Sequence, residues 1–119
     1  MAINQRQVYL LPHPLGNGEP HYHIVLSIRE ANDHEQTFLA AMITTSPVYY
    51  DDFSFDLSDE MFDKPLPKAG SHVRMHLIML ERNEDICKHP SIATMKVEYF
   101  NQLMRSIGEA IFNFKFLPI

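Results

Sequence analysis

Hydrophobic and polar residues alternate over several short stretches of the chain, which is the pattern of β-strands. The clearest alternation covers residues 71–80 (SHVRMHLIML). It places Val73, Met75, Leu77 and Met79 on one face of a strand, and His72, Arg74, His76 and Ile78 on the other. Further strands are predicted at residues 7–11, 21–28, 37–46 and 92–95. Clusters rich in Pro and Gly separate them, at residues 12–20 and 64–70.

The strand predicted at residues 21–28 (HYHIVLSI) begins with two histidines one residue apart. Because successive side chains point to opposite faces, His21 and His23 share one face, and Tyr22 and Ile24 lie on the other. We expect the Tyr22 face to pack on the core and His23 to lie on a polar face or in a groove. The next residues, 29–36 (REANDHEQ), predict a polar turn.

Residues 51–63 (DDFSFDLSDEMFD) form an acidic segment with six acids and no Lys or Arg. Apolar residues at positions 53, 55 and 57 alternate with polar ones. A disordered acidic tract would carry few aromatic residues. The pattern therefore predicts an edge strand or an ordered flap.

The C-terminal part predicts one amphipathic helix at about residues 96–114, with apolar side chains spaced three and four apart. Phe112 and Phe116 could serve an interface or complete the core. Strands followed by one terminal helix indicate a mostly β fold with a C-terminal α-helix, a small antiparallel barrel or sheet. With 119 residues, the chain (1–119) is expected to form a single domain.

Composition narrows the class of protein. The net charge of -5 argues against a broad basic footprint for nucleic acid, but outside the acidic segment nine acids face ten Lys and Arg. No apolar run approaches the roughly 18 residues of a membrane span, and no signal sequence is evident, so we expect a cytoplasmic protein with no membrane partner. A single cysteine, Cys87, excludes an intramolecular disulfide and Cys-based zinc sites.

The histidines raise the question of a metal site. His72 and His76 lie roughly 13 Å apart along a strand, too far to chelate one ion without curvature. Arg74 between them would repel a divalent cation. We therefore predict no metal ligands and no cofactor, and a His-based, metal-dependent small-molecule enzyme stays an alternative.

Cleavage of RNA by its own 2′-hydroxyl needs a proton acceptor, a proton donor and a cation, and no metal. His21, Arg74 and one of the other strand histidines could supply these roles if their strands are adjacent. A structural role is the alternative for each histidine. Hydroxyl residues are common in strands, so Thr44, Thr45 and Ser46 carry no functional signal by themselves.

The order of features resembles the MazF/PemK family of toxin-antitoxin toxins. The shared features are a strand, a Gly/Pro loop, an apolar strand ending in Ser27, a polar turn and the strand AAMITTS. The resemblance implies a small SH3-like barrel of the CcdB/PemK type with a C-terminal helix, and endoribonuclease activity. His21 stands where the family has its catalytic arginine. In MITTS, Thr44 is the first candidate for the catalytic threonine and Thr45 the second.

On this resemblance we predict three catalytic residues, His21, Thr44 and Arg74. Predicted binding residues are His23, Thr45, Ser46, His72 and His76. The implied partners are RNA, an antitoxin protein and a second copy of the chain.

Two hypotheses follow from the resemblance. A metal-independent ribonuclease requires the three catalytic side chains within reach of one phosphate. A catalytically inactive barrel that binds a protein partner predicts that His21 and Thr44 do not converge, or that the acidic segment covers them. The first hypothesis is the preferred one. The missing family arginine, and an acidic segment that would repel RNA if it lay beside the site, count against it. An unrelated β-rich domain is a third alternative.

Overall fold

The computed structural model describes residues 2–12, 18–86 and 89–113. Within these residues, strands and helices follow one another in the order β1, β2, α1, β3, β4, β5, β6, α2. Their bounds are Gln7–Leu11, His21–Val25, Arg29–His34, Thr37–Thr44, Ser54–Asp56, His72–Arg82, Ala93–Thr94 and Val97–Ala110. No helix in these ranges is long and apolar enough to cross a membrane. Cys87 and Phe116, singled out in the sequence, lie outside the described residues.

The strands form one antiparallel sheet in the order β4-β5-β3-β2-β1-β6. The sheet curls until its two ends meet, because the chain after β4 pairs with residues around β6. Phe62 forms a bridge with Met95, and the Lys96 amide donates to the Met61 carbonyl at 2.8 Å. The predicted fold class, a mostly β, antiparallel barrel with a C-terminal helix, is confirmed, and the curled sheet forms a half-barrel.

Both faces of the sheet pack against apolar residues. The first core lies inside the curl, where α2 contributes Phe100, Leu103 and Ile107. The second core lies on the other face, and its members are Ile3, Tyr9, Leu11, Val25, Phe38, Ala40 and Ile86. The expectation that β2 packs on its Tyr22 face alone is wrong, because the second core covers its other face. His23, expected on a polar face or in a groove, is completely buried.

The register of β5 against β3 is irregular in its middle. Ala41 pairs with Ile78 and Ile43 pairs with Val73, so two steps along β3 correspond to five along β5. An odd number of extra residues reverses the alternation of side chains. Ile78 therefore packs against the same core as Val73, contrary to the predicted alternation.

Residues 29–36 contain the short helix α1 where the sequence predicted a turn. The side chain of Asn32 attaches this polar segment to the rest of the protein. Its buried side-chain amide donates to the carbonyls of Ile3 and Ser27, and its oxygen accepts the Ser27 hydroxyl. These bonds connect α1 to the N-terminal residues and to the end of β2.

Candidate active site

A cavity of about 120 Å³ lies at the ends of β2 and β3. The ladder between these strands ends at the pair His23 and Met42. The same register extended by two residues would bring His21 opposite Thr44, and both residues line the cavity. Its lining residues are Glu19, Pro20, His21, Tyr22, Ile43, Thr44, Thr45, Leu66, Pro67, Lys68 and Ser71.

His21 is half-buried at the start of β2. Its Nδ1 lies 2.9 Å from the Glu19 carbonyl oxygen. A carbonyl can only accept a hydrogen bond, so Nδ1 carries the proton in this contact. In the neutral ring Nε2 is then the basic nitrogen, and His21 has the tautomer of a proton acceptor.

Thr44 is buried at the end of β3, with 6% of its surface exposed. Its Oγ1 accepts a hydrogen bond from the Ser46 amide at 3.2 Å. This contact uses a lone pair and leaves the hydroxyl proton able to donate to a bound molecule. Thr45 lies exposed on the rim, whereas Ser46 contributes through its amide and does not line the cavity.

Sequence reasoning missed Lys68 and Ser71, which come from the loop before β5. The Ser71 hydroxyl donates to the Lys68 carbonyl at 2.9 Å, which fixes the turn of this loop. Lys68 is exposed and brings a positive charge to the rim, where Glu19 brings a negative one. The pairing of His72 with Thr44 in the sheet places the residues before β5 beside the end of β3, and no local sequence pattern indicates this pairing.

The other predicted residues that belong to β5 do not line this cavity. His72, Arg74 and His76 are not among its lining residues, and Arg74 is buried. One nitrogen of Arg74, Nη1, donates to the Tyr49 carbonyl, to the Asp51 carboxylate at 3.1 Å and to Ser54 Oγ at 3.4 Å. Residues 47–52, which we call the cover segment, and the start of β4 therefore bind the guanidinium.

Electrostatic effects in this region follow from burial and from Arg74. Burial lowers the pKa of His72, and the charge of Arg74 lowers it further, against the opposing influence of Asp56 and Asp51. The pKa of Asp51 is lowered by a hydrogen bond from the Phe53 amide and then by Arg74. Asp51 therefore stays ionised next to the guanidinium over the physiological pH range.

His23 is completely buried and does not line the cavity. Its Nδ1 is 3.0 Å from the His21 carbonyl oxygen, and this contact ties the ring to the strand that carries His21. Across residues 2–12, 18–86 and 89–113, no group of three or more His, Cys, Asp or Glu side chains could hold a metal ion.

The fold is that of the MazF toxins, and the resemblance expected from the sequence is confirmed at this level. MazF from Deinococcus radiodurans superposes with a TM-score of 0.72 at 12% identity, over 93% of this chain and 97% of that one. A mycobacterial endoribonuclease in complex with its cognate antitoxin gives 0.71 at 18% identity, over 99% of both chains. The Mycobacterium tuberculosis toxin MazF-mt6 gives 0.68 at 17% identity, over 93% of this chain and 100% of that one.

No protein-family model matches the chain, and no curated protein matches it.

Proposed function

We propose that the protein is an endoribonuclease toxin of a toxin-antitoxin system, which cleaves RNA by attack of the 2′-hydroxyl and without a metal ion. The observation that carries this proposal is that His21 and Thr44 line one cavity. The similar structures include proteins named as endoribonucleases, which agrees with it. The acidic segment 51–63 contributes no lining residue, so its charges do not occupy the cavity.

The reaction requires one proton transfer to start and one to finish. His21 Nε2 takes the proton of the 2′-hydroxyl, and the oxygen attacks the phosphorus. The bond to the 5′-oxygen breaks as the 2′,3′-cyclic phosphate forms, and the departing oxygen takes a proton from solvent at the exposed rim. The Thr44 hydroxyl donates to a non-bridging oxygen, whose negative charge increases in the transition state.

The cation of this site is Lys68 and not Arg74. The Arg74 guanidinium is bound by the cover segment, whereas Lys68 lies on the rim of the cavity that holds His21. A lysine side chain is long and flexible, and its ammonium can follow the phosphate as the geometry at phosphorus changes. Lys68 therefore fills the role that the missing arginine would have.

The partners expected for this function are an antitoxin and a second copy of the chain. Three of the similar structures are complexes with an antitoxin, which supports an antitoxin partner for this chain. Leu39 and Leu80 pair across β3 and β5 and are 43% and 68% exposed, so they offer an apolar surface for a homodimer. We expect these partners, with RNA, in the cytoplasm.

The test is cleavage of a long, mixed-sequence RNA by the purified protein in EDTA. His21→Ala and Thr44→Ala should each abolish cutting while retaining the fold, measured by circular dichroism and thermal unfolding. His34→Ala is the matched control, because His34 is an exposed histidine on α1 that does not line the cavity. It should cut like the wild type.

Two outcomes would contradict the proposal. Absence of cutting by the wild type over a range of RNA sequences and salt concentrations would favour the catalytically inactive, protein-binding barrel. Equal cutting by all four proteins would show that the nuclease is a contaminant or that its site lies elsewhere.

A further inference from the structure

Three side chains of β5 that could bind an anion lie in a row, and each contacts an aromatic ring. The Tyr50 ring meets His72 edge-on with centroids 5.2 Å apart. Arg74 lies 5.8 Å from the Tyr49 ring, and the Phe53 and His76 rings are 5.9 Å apart. Two of these rings belong to the cover segment.

The Asp51 carboxylate has the position that a phosphate would take in this row. Arg74 Nη1 binds it at 3.1 Å, and Nη2 of the same guanidinium lies 3.4 Å from His76 Nε2. Arginine binds carboxylate and phosphate oxygens with the same donor geometry. The intramolecular contact therefore shows how the row would bind an anionic oxygen from another molecule.

His72 has an unused polar atom under the cover segment. Its side chain is almost completely buried, and Nε2 has no hydrogen-bond partner among the described residues. A buried polar atom without a partner is unfavourable and calls for an explanation. An anion bound along β5 would supply the partner once the Tyr50 ring moves aside.

The cover segment is held by polar contacts, those to Arg74 and the bond of the Tyr50 hydroxyl to Asp56 at 2.9 Å, and has few buried apolar ones. The turn Pro47–Tyr49 has no buried residue, and Val48, Tyr49 and Tyr50 are each more than half exposed. The chain becomes firmly paired only at Phe53, whose carbonyl accepts the Met75 amide at 2.9 Å. Segments with few buried apolar contacts open locally without unfolding the rest of the protein.

We infer that His72, Arg74 and His76 form a binding site for the phosphate backbone of single-stranded RNA, which the cover segment occupies until RNA displaces it. The site adjoins the cavity, since His72 pairs with Thr44 in the sheet. This inference rests on the proposed function, because it takes RNA as the ligand. It assigns Arg74 to RNA binding, next to the residues that act on the scissile phosphate.

The test is binding of a fluorescently labelled, mixed-sequence 2′-O-methyl RNA oligonucleotide, which cannot be cleaved by 2′-hydroxyl attack. Asp51→Asn removes the competing carboxylate and should tighten binding about fivefold. Asp52→Asn is the matched control, because it changes the net charge equally at an exposed neighbour with no contact to Arg74 among the described residues. Arg74→Gln added to Asp51→Asn should remove the gain.

Hydrogen exchange provides a second readout on the wild-type protein. Added oligonucleotide should speed exchange of the Tyr49 and Tyr50 amides, which donate to the Ser46 and Pro47 carbonyls in the turn that has to move. The Met75 amide should exchange as before. Equal effects of Asp51→Asn and Asp52→Asn, or oligonucleotide binding with the Tyr49 and Tyr50 amides still protected, would overturn the inference.

Failure of the inference can be told apart from failure of the proposed function. RNA cleavage by the wild type, with equal oligonucleotide affinities of Asp51→Asn and Asp52→Asn, would contradict only the claim that the cover segment occupies the RNA-binding site. A gain specific to Asp51→Asn without any cleavage would support the site and contradict the nuclease. Absence of oligonucleotide binding by every variant would contradict the site.

Discussion

His21 and Thr44 line the same cavity, which lies at the ends of β2 and β3, beyond their last paired residues, His23 and Met42. In the proposed mechanism His21 is the proton acceptor and Thr44 the hydroxyl donor, so the candidate site depends on where these two strands end.

Replacing the rim cation should slow cleavage. Lys68→Gln removes the positive charge proposed to stabilise the transition state, and kcat/KM for RNA cleavage should fall by about tenfold to a hundredfold. The matched control is Lys64→Gln, an exposed lysine of the same loop that does not line the cavity. Equal losses in the two variants would indicate general attraction of RNA and would contradict the specific role of Lys68.

The stability of the protein should depend on the protonation of His72. Burial holds the pKa of His72 below its ordinary value of 6.5, so below pH 6.5 the unfolded chain takes up a proton that the folded protein does not. The free energy of unfolding should therefore decrease as the pH falls from about 6.5, by at most about 1.4 kcal/mol per pH unit for this group.

Urea unfolding between pH 5 and pH 8 measures this dependence. His72→Gln should show a shallower decrease below pH 6.5 than the wild type, whatever its stability at neutral pH. Parallel curves for the two proteins would show that His72 titrates in the same way in the folded and unfolded states.

Helix α2 should contribute strongly to stability through its buried face. Leu103 is completely buried against the first core, so Leu103→Ala should lower the free energy of unfolding by about 2–5 kcal/mol. Met104 is the next residue and is 37% exposed, and Met104→Ala should cost much less. Urea titration measures both, and similar losses would mean that the packing of α2 differs from that described.

The buried side-chain amide of Asn32 should contribute more to the free energy of unfolding than its position on a short polar helix suggests. Asn32→Ala leaves the Ile3 and Ser27 carbonyls without their donor, and should lower the free energy of unfolding by about 1–3 kcal/mol. Asp33→Ala removes an exposed ion pair with Arg29 and should cost less than about 1 kcal/mol. Equal costs would show that the Asn32 bonds do not stabilise the fold.

The hydrophobic periodicity of the sequence was sufficient to predict most strands, the terminal helix and the fold class. The strand period of two and the helix period of about 3.6 residues can both be read from residues close together in the sequence. It could not predict that His23 is buried, since this depends on which distant residues cover the second face of the sheet. The face of β5 predicted for Ile78 was also wrong, because a bulge in β5 reverses the alternation of side chains.

The candidate site was predictable only in part. His21 was a candidate from its chemistry and from the resemblance to a family, and Thr44 from the resemblance alone, and the structure places both at one cavity. Lys68 was missed because a loop lysine before a strand has no distinguishing local pattern. Arg74 does not line the cavity, and its guanidinium binds Asp51, 23 residues earlier, a contact that only the folded chain reveals.

The most direct test of the central claim is the chemistry of the cut ends. An RNA cleaved in EDTA by the wild type should leave a 2′,3′-cyclic phosphate on the upstream fragment and a 5′-hydroxyl on the downstream fragment, identified by mass spectrometry. A matched RNA with a 2′-deoxy sugar at the cut position should stay intact there, and His21→Ala should leave both RNAs intact. A 3′-hydroxyl with a 5′-phosphate, or cutting of the deoxy-substituted RNA at that position, would mean that water attacks the phosphorus and would contradict the account.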